Sequence, residues 1–231
     1  MSEVKFVPME VSYLDSMGSD VNVVNAARVS FAKEVSEFDP KKDTGLINYL
    51  CKHNHWSPLA HTSVSIRVKA PIFMARQFVK HQVGLVWNEE SRRYIDDTPE
   101  FYEPNQWRSK PANAKQGSGS ETIAKDLLFH GDFEDSPESY SFEEFNQYAL
   151  NMYNWMLMNN VAPEQARMVL PQNTMTNWIW TGSIMAFARV CKLRLDSHAQ
   201  VEAQELAQMI EETVAPLYPV SWKALMEHLK V

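Results

Sequence analysis

The sequence predicts an α+β fold: a single domain in which a small, mostly antiparallel sheet is packed by helices, with long helices toward the C-terminal end. Three observations carry this reading. Helical patterns outnumber strand patterns along the chain. The two kinds are segregated rather than alternating, which argues against a series of βαβ units. The chain has 231 residues, 45% hydrophobic and 22% charged, enough to bury a sizeable core without staples. That length suits one large domain or two small ones. One domain over 1–231 is expected, with irregular surface loops around 105–140.

The elements follow in order. "SDVNVVNAARVSFA" has apolar residues at helical spacing after a polar start, which predicts a helix from Val21. In "FDPKKDTGLINYLCKHNH", Asp43 is the expected cap, with Leu46, Ile47, Leu50 and Cys51 on one face. "HTSVSIRVKAP" alternates, with Val64, Ile66 and Val68 on one side and Ser65, Arg67 and Lys69 on the other. That is a strand with one wet face, closed by Pro71. Ile72 to Val83 reads as a helix ended by Gly84, and Val86 to Glu90 as a loop.

Residues 97–140 are the least regular stretch. "SKPANAKQGSGSET" and "FHGDFEDSPESY" are polar and rich in Gly, Ser and Pro, as surface loops are. Ser141 and Glu144 then form a capping box before an apolar face of Phe145, Tyr148, Ala149, Met152 and Trp155. Pro163 suits the first turn of a short helix through Met168. "NTMTNWIWT" reads as a strand and "SIMAFARVCKLRL" as a helix. "SHAQVEAQELAQMIEETVAPLY" is a long helix with Ala203, Leu206, Ala207, Ile210 and Val214 in register, ended by Pro216.

Composition excludes several classes. A formal net charge of -7 argues against a broad nucleic-acid-binding face, while allowing a local basic pocket for one phosphate. Cys51 and Cys191 form neither a CxxC nor a secreted-type framework, which fits a reducing compartment and two buried small hydrophobes. "MSEVKFVPMEVSY" has no signal pattern, and no apolar run is long enough to span a bilayer. A soluble cytoplasmic protein without nucleic-acid or membrane partners is expected. The seven glycines make neither GxGxxG nor a Walker A pattern, and GxSxG and HExxH are absent. His53, His55 and His61 cluster, but a metal would need a further ligand and a second shell. No metal is expected; these read as loop histidines touching a ligand or water.

Five local clusters hold polar residues that a core does not need: His53–His61, Gln77–Gln82, Asn88–Tyr94, Arg167 and Arg189–Gln200. Singly, each has an ordinary reading as solvated charge, and Arg194 could pair with Asp196. Together they point elsewhere. Ser91, Arg92 and Arg93 stand side by side, and a hydroxyl, backbone N–H groups and guanidinium forks make a phosphate cradle. Glu89 beside them suits a base or sugar with donor groups. The residues therefore suggest a small phosphorylated ligand, a nucleotide among the candidates, without reaching a reaction.

At these residues the chain resembles the flavin-dependent thymidylate synthases. That family's signature is Arg-His-Arg, seven residues, then Ser, within a run such as Asn-Glu-x-Ser-x-Arg-Tyr. Here the triplet is "KHQ" and the later part "NEESRRY". "AARVSF", "HWSPLAH", "KAPIFMARQ", "ARMVLP" and "LRLDSHAQ" also look like the family's blocks, in the family's order, from about Val24 to the C-terminal helix without the loops at 105–140.

The resemblance implies an FAD-dependent methyltransferase that makes dTMP from dUMP, with methylenetetrahydrofolate as one-carbon donor and NADPH as reductant. It implies a homotetramer with shared sites, and no cysteine nucleophile. Gln77, Lys80, Glu89, Ser91, Arg92, Arg93, Arg167 and Arg194 match dUMP-contacting positions. Ser91 would contact the nucleotide and not attack it, Arg93 and Arg167 would hold the phosphate, and Arg194 would face the uracil. His81, Gln82 and Val83 match flavin-contacting positions, as do His55, Ser57, Ser183, Met185, Arg189 and Leu193.

The chain departs from the pattern in places. Lys80 and Gln82 replace two arginines, so the bidentate fork is lost at one and the charge at the other. The gap from Gln82 to Ser91 is one residue longer than usual, which predicts a small bulge at Gly84–Val86. Ala60 replaces an acid, and Ser183 and Met185 stand where Asn and Arg are expected. Two alternatives follow: a related enzyme making another pyrimidine C5 product, or a nucleotide-binding homologue that has lost flavin.

Overall fold

The computed structural model describes residues 2–111, 118–119, 121–123, 129–130 and 139–230. Glu10–Met17 (β1) runs antiparallel to Ser63–Pro71 (β2), with Glu10 opposite Lys69 and Ser12 opposite Arg67. The register shifts between Tyr13 and Asp15, a bulge that gives β1 one extra residue, Leu14. In β2, Val64, Ile66 and Val68 are fully buried while Arg67 is exposed, as the alternation requires.

Leu85–Glu89 (β3) is a strand, where a loop over Val86–Glu90 was expected. Two short antiparallel ribbons follow: Trp107–Arg108 (β4) with Thr122–Ile123 (β5), and Phe129–His130 (β6) with Ser139–Tyr140 (β7). They fall within the stretch expected as loops; the rest of that expectation over 112–117, 120, 124–128 and 131–138 lies outside the described residues. Met175–Gly182 (β8) completes a sheet of order β1-β2-β8-β3. Packing explains the misread strand. Trp87 stacks on Trp178 with ring centres 4.2 Å apart and meets Trp180 edge-on at 5.4 Å. Such aromatic contacts on β8 override weak local turn signals.

The helices are Asp20–Arg28 (α1), Lys42–Lys52 (α2), Ile72–Phe78 (α3), Phe142–Met158 (α4), Pro163–Ala166 (α5), Ile184–Arg194 (α6), Val201–Val214 (α7) and Pro219–His228 (α8). Asp43 is not the cap of α2. It is buried inside the first turn, where it accepts from Arg28 Nη2 at 2.6 Å and from Asp39 N at 2.8 Å. Asp39 does the capping, its Oδ1 accepting from Lys41 N and Lys42 N at 2.9 and 3.0 Å. Those backbone donors hold the Asp39 carboxyl below its ordinary pKa. α3 stops at Phe78 rather than Val83, and His81 N turns back to Phe78 O at 3.0 Å.

The described chain packs as two compact units, each discontinuous in sequence. One comprises Glu10–Lys69, Arg76–Asn88 and Asn177–Val231. Here α2 packs on α8, α6 on α7, and α7 on β1. The face of α7 predicted from spacing, Ala203, Leu206, Ala207, Ile210 and Val214, is fully buried. Asp20 Oδ1 and Oδ2 accept from Ser221 N and Val220 N at 2.9 and 3.0 Å, anchoring the start of α8.

The other unit comprises Met1–Met9, Ala70–Ala75 and Glu89–Thr176. The capping box of α4 forms: Glu144 N donates to Ser141 Oγ at 3.2 Å and Ser141 N to Glu144 Oε2 at 2.7 Å. The buried face is not the expected one, however. α4 buries Asn146, Leu150 and Tyr153, leaving Phe145, Tyr148, Met152 and Trp155 exposed. Asn146 disguises the inner face in the sequence. Its Oδ1 accepts from Asn173 Nδ2 at 2.9 Å, so the amide is satisfied inside the core.

Candidate functional site

Gln77, His81 and Arg194 meet at the end of α6. Arg194 lies in its last turn and does not pair with Asp196, which instead binds His198. Arg194 Nε donates to His81 Nε2 at 3.0 Å, and Nη2 to Gln77 O at 3.3 Å. The guanidinium carbon stands 5.6 Å from the centre of the Phe78 ring, a cation–π contact. Among the described residues, Nη1 makes no hydrogen bond. Burial, and then the Arg194 charge, hold His81 down to about 4, so the ring is neutral at neutral pH. An Nε2 that accepts leaves the ring proton on Nδ1.

Gln77, in α3, is held from the other side. Its Nε2 donates to Gln200 Oε1 at 2.6 Å, and Gln200 Nε2 donates to the buried Glu202 at 2.9 Å. Sequence reasoning included Gln200 in the Arg189–Gln200 cluster without a role of its own, and did not single out Glu202. Gln200 closes the "LRLDSHAQ" block, and that position was the available signal.

Lys80, Gln82 and Val83 are exposed in the turn after α3. Leu85 N donates to Gln82 O at 3.3 Å, closing a β-turn whose third residue, Gly84, has φ +76°. Glycine meets that angle without strain. The Ser183 hydroxyl lies beside it, 3.9 Å from where a side chain on Gly84 would begin. Ser183 also caps α6, accepting from Ala186 N at 3.3 Å. Further along α6, Met185 is buried, Arg189 half-buried and Leu193 exposed. His55 is exposed with its ring edge-on to Tyr49 at 5.8 Å, and exposed Ser57 opens the 3-10 turn Ser57–Ala60.

In the second unit, Ser91 Oγ accepts from Arg93 Nε at 3.1 Å, and Arg93 lies 4.9 Å over the Tyr94 ring. Arg92 Nη1 donates to Asp97 O at 2.9 Å and Oδ1 at 3.2 Å. The ion pair itself contributes little, since Asp97 is largely exposed. Arg92 Nε is buried without a hydrogen-bond partner. Glu89 Oε1 accepts from Thr176 Oγ1 at 2.8 Å. Arg167 is exposed and donates through Nε to Glu164 O at 3.2 Å; none of its hydrogen bonds joins it to Ser91–Arg93. Thr176 and Asp97 were missed because each acts through a partner far in sequence or on a turn of no strong pattern.

No described group of three or more His, Cys, Asp or Glu could hold a metal ion. Burial raises Cys51 to about 12 and Cys191 well above its ordinary value, so neither thiol ionises readily enough to serve as a nucleophile. No described helix is long and apolar enough to cross a membrane.

In the first unit, an arginine of fixed orientation can meet a planar, hydrogen-bonding molecule, and in the second, Ser91 and Arg93 can meet an anion. Residues 12–220 match a family described as thymidylate synthase complementing protein. The flavin-dependent thymidylate synthase of Thermus thermophilus is 36% identical over 219 residues, 95% of this chain and 76% of that one. That of Thermosipho africanus is 37% identical over 217 residues, 93% of this chain and 89% of its own. A UMP/dUMP methylase from Streptomyces cacaoi, solved with 5-Br dUMP, superposes with a TM-score of 0.77 at 29% identity, covering 98% of this chain and 97% of that one. The same methylase bound with 5-Br UMP gives a TM-score of 0.79. With a match over most of its length, and with relatives above 30% identity that it spans for the greater part, the chain belongs to the flavin-dependent thymidylate synthase family.

Proposed function

We propose that this chain converts dUMP to dTMP, with methylenetetrahydrofolate as one-carbon donor and NADPH as reductant, through bound FAD. The observation that carries the reading is the doubly anchored Arg194, whose Nη1 remains for a ligand oxygen. His81 and Gln77 fix the guanidinium plane before a substrate arrives, so little ordering is needed on binding. Facing the uracil, Arg194 would stabilise negative charge developing on a carbonyl oxygen. The unpartnered Arg92 Nε, with Ser91 and Arg93, supports a phosphorylated ligand, with Arg93 and Arg167 assigned to the phosphate. Glu89 is assigned to the nucleotide's donor groups.

FAD fits the donor set. Exposed His55, Ser57, Gln82 and Val83, the Ser183 hydroxyl and the Arg189 cation can supply hydrogen bonds and charge to it, and Leu193 an apolar contact. When bound, the flavin supplies the redox and one-carbon chemistry. The chain's own residues bind, orient and polarise. Met185, buried in α6, would act on the flavin only by backing its pocket. The reading extends to a cytoplasmic homotetramer with shared sites.

The streptomycete methylase, named for both UMP and dUMP, motivates a second reading in which the ribonucleotide is also accepted. The test uses purified protein with FAD, NADPH and methylenetetrahydrofolate, supplied with dUMP or UMP. Flavin absorbance that bleaches with NADPH and returns with both substrates, and a product heavier by one CH2 (a methyl in place of the C5 hydrogen), is expected for dUMP. Turnover should vanish in Arg194→Ala. A colourless protein that FAD does not reconstitute, or full activity in Arg194→Ala, would refute the reading.

A further inference from the structure

α4 carries two apolar stripes. Leu150 and Tyr153 belong to the inner one. Phe145, Tyr148, Met152, Trp155 and Met158 form the other, each 50–86% exposed. Their steps along the helix are three, four, three and three residues, which keeps them on one side. That spacing is the one two helices use when they pack at about 20°. A groove of about 1120 Å³ runs along this side, lined by Tyr148, Asn151, Met152, Trp155, Leu157 and Met158. The N-terminal segment frames it, with Val4 N donating to Gln147 Oε1 and Gln147 Nε2 to Ser2 O, both at 3.0 Å.

We propose that this face pairs with α4 of a second copy of the chain, antiparallel about a two-fold axis near Met152. Area supports pairing. Aromatic side chains offer roughly 150–250 Å² each, so at these exposures the five residues present on the order of 600 Å² per copy. The pair buries about 1,200 Å², the lower end of stable specific interfaces.

Charge selects the orientation. From Phe145 to Asn160 no residue is charged, while Glu143 and Glu144 occupy the first turn. A parallel pair would stack the two acidic turns together. An antiparallel pair sets each acidic turn beside the uncharged end of its partner and opposes the helix dipoles. The stripe is also self-complementary about Met152. Tyr148 meets Trp155 of the partner subunit, and Phe145 meets Met158 of the partner subunit, an aromatic–sulfur contact.

Sedimentation velocity of the full chain over a tenfold concentration range tests the proposal. Trp155→Glu should halve the mass of the largest species while its circular dichroism spectrum stays that of the folded chain, because the indole is exposed in the single chain. A Met152→Cys variant oxidised with glutathione disulfide should link two chains, and Glu143→Cys should not. The natural thiols, Cys51 and Cys191, are buried and leave the assay clean. Equal masses for the parent and Trp155→Glu, with no link at Met152→Cys, overturn the pairing. A link through Glu143→Cys and none through Met152→Cys overturns its antiparallel sense. Equal masses together with cosedimentation on phosphatidylcholine vesicles, lost in Trp155→Glu, assign the face to lipid and overturn it as well.

Discussion

Arg194 Nε donates to His81 Nε2 at 3.0 Å, so the imidazole serves as a neutral acceptor that orients a guanidinium. Protonation would put two cations in contact. Folded His81 titrates near 4, below the 6.5 of an unfolded histidine, because of burial and then the Arg194 charge. The unfolded chain therefore binds more protons between those values. Stability from this site is fully present above about pH 6.5 and is lost as pH falls through 6.5 toward 4. In Arg194→Ala, the His81 midpoint should rise toward the ordinary value, read from its ring proton by NMR. An unmoved midpoint would mean the arginine does not control the ring.

The second anchor is Gln77. Its side chain leads through Gln200 to buried Glu202. Gln200→Leu keeps the bulk but removes a donor to Glu202 and an acceptor for Gln77. A buried polar group left short of a partner costs about 1–3 kcal/mol, so the urea midpoint should fall accordingly. Gln200→Glu, which keeps an acceptor for Gln77 but sets a carboxylate beside Glu202, should not restore it at neutral pH. Full stability of the leucine variant would show that the chain of amides is not coupled.

The capping box of α4 gives a separable stability test. Ser141→Ala should cost about 1 kcal/mol in chemical denaturation, the usual value of an N-cap. The Ser141 N–H and hydroxyl also hold the Glu144 carboxyl below its ordinary pKa. The contribution of Glu144 is therefore present above the unfolded value and lost as pH falls through the lowered one. Glu144→Ala should therefore cost stability at neutral pH and less in acid; a pH-independent cost would refute the reciprocal bond from Ser141 N.

Local signals were legible where packing and pattern agree. The alternation in β2, the face of α7 and the capping box at Ser141 could all be read from spacing, because each buries or satisfies what its own segment presents. β3 could not, since Trp87 is in a strand for the sake of Trp178, some ninety residues away. The inner face of α4 was hidden by Asn146, whose polarity is cancelled by Asn173. Among site residues, Arg194 and His81 were each legible as part of a block, but their pairing was not, because it depends on how α3 ends. Arg194 and Asp196 are close in sequence, yet the end of α6 turns them to different partners.

Arg28 and Asp43 join α1 to α2 through a 2.6 Å charged hydrogen bond, with the carboxylate wholly buried. Removing one partner of a buried pair leaves the other charge poorly compensated, at a cost of about 3–5 kcal/mol. Arg28→Ala should sit near the lower bound, since Asp39 N still donates to Asp43. The double variant Arg28→Ala with Asp43→Asn should recover part of the loss, because no uncompensated charge remains. A double variant less stable than the single one would mean that the ion pair is not the unit that matters.

Gly182, at the end of β8, lies against the turn that carries Gln82 and Val83. A side chain there would collide with Gly84 O, a backbone atom, and come within 2.6 Å of Leu85 Cδ2. Leucine can rotate away, but the carbonyl can move only with the turn itself. Overpacking of this kind costs about 1–3 kcal/mol, and here the relaxation also displaces residues assigned to the flavin. Gly182→Ala should therefore lower the thermal midpoint and weaken FAD binding, measured by equilibrium dialysis. Gly45→Ala is the control, because a side chain at Gly45 meets nothing within 4 Å. It should leave FAD binding unchanged. Equal flavin affinity in the two variants would separate the turn from the cofactor, even if Gly182→Ala is the less stable.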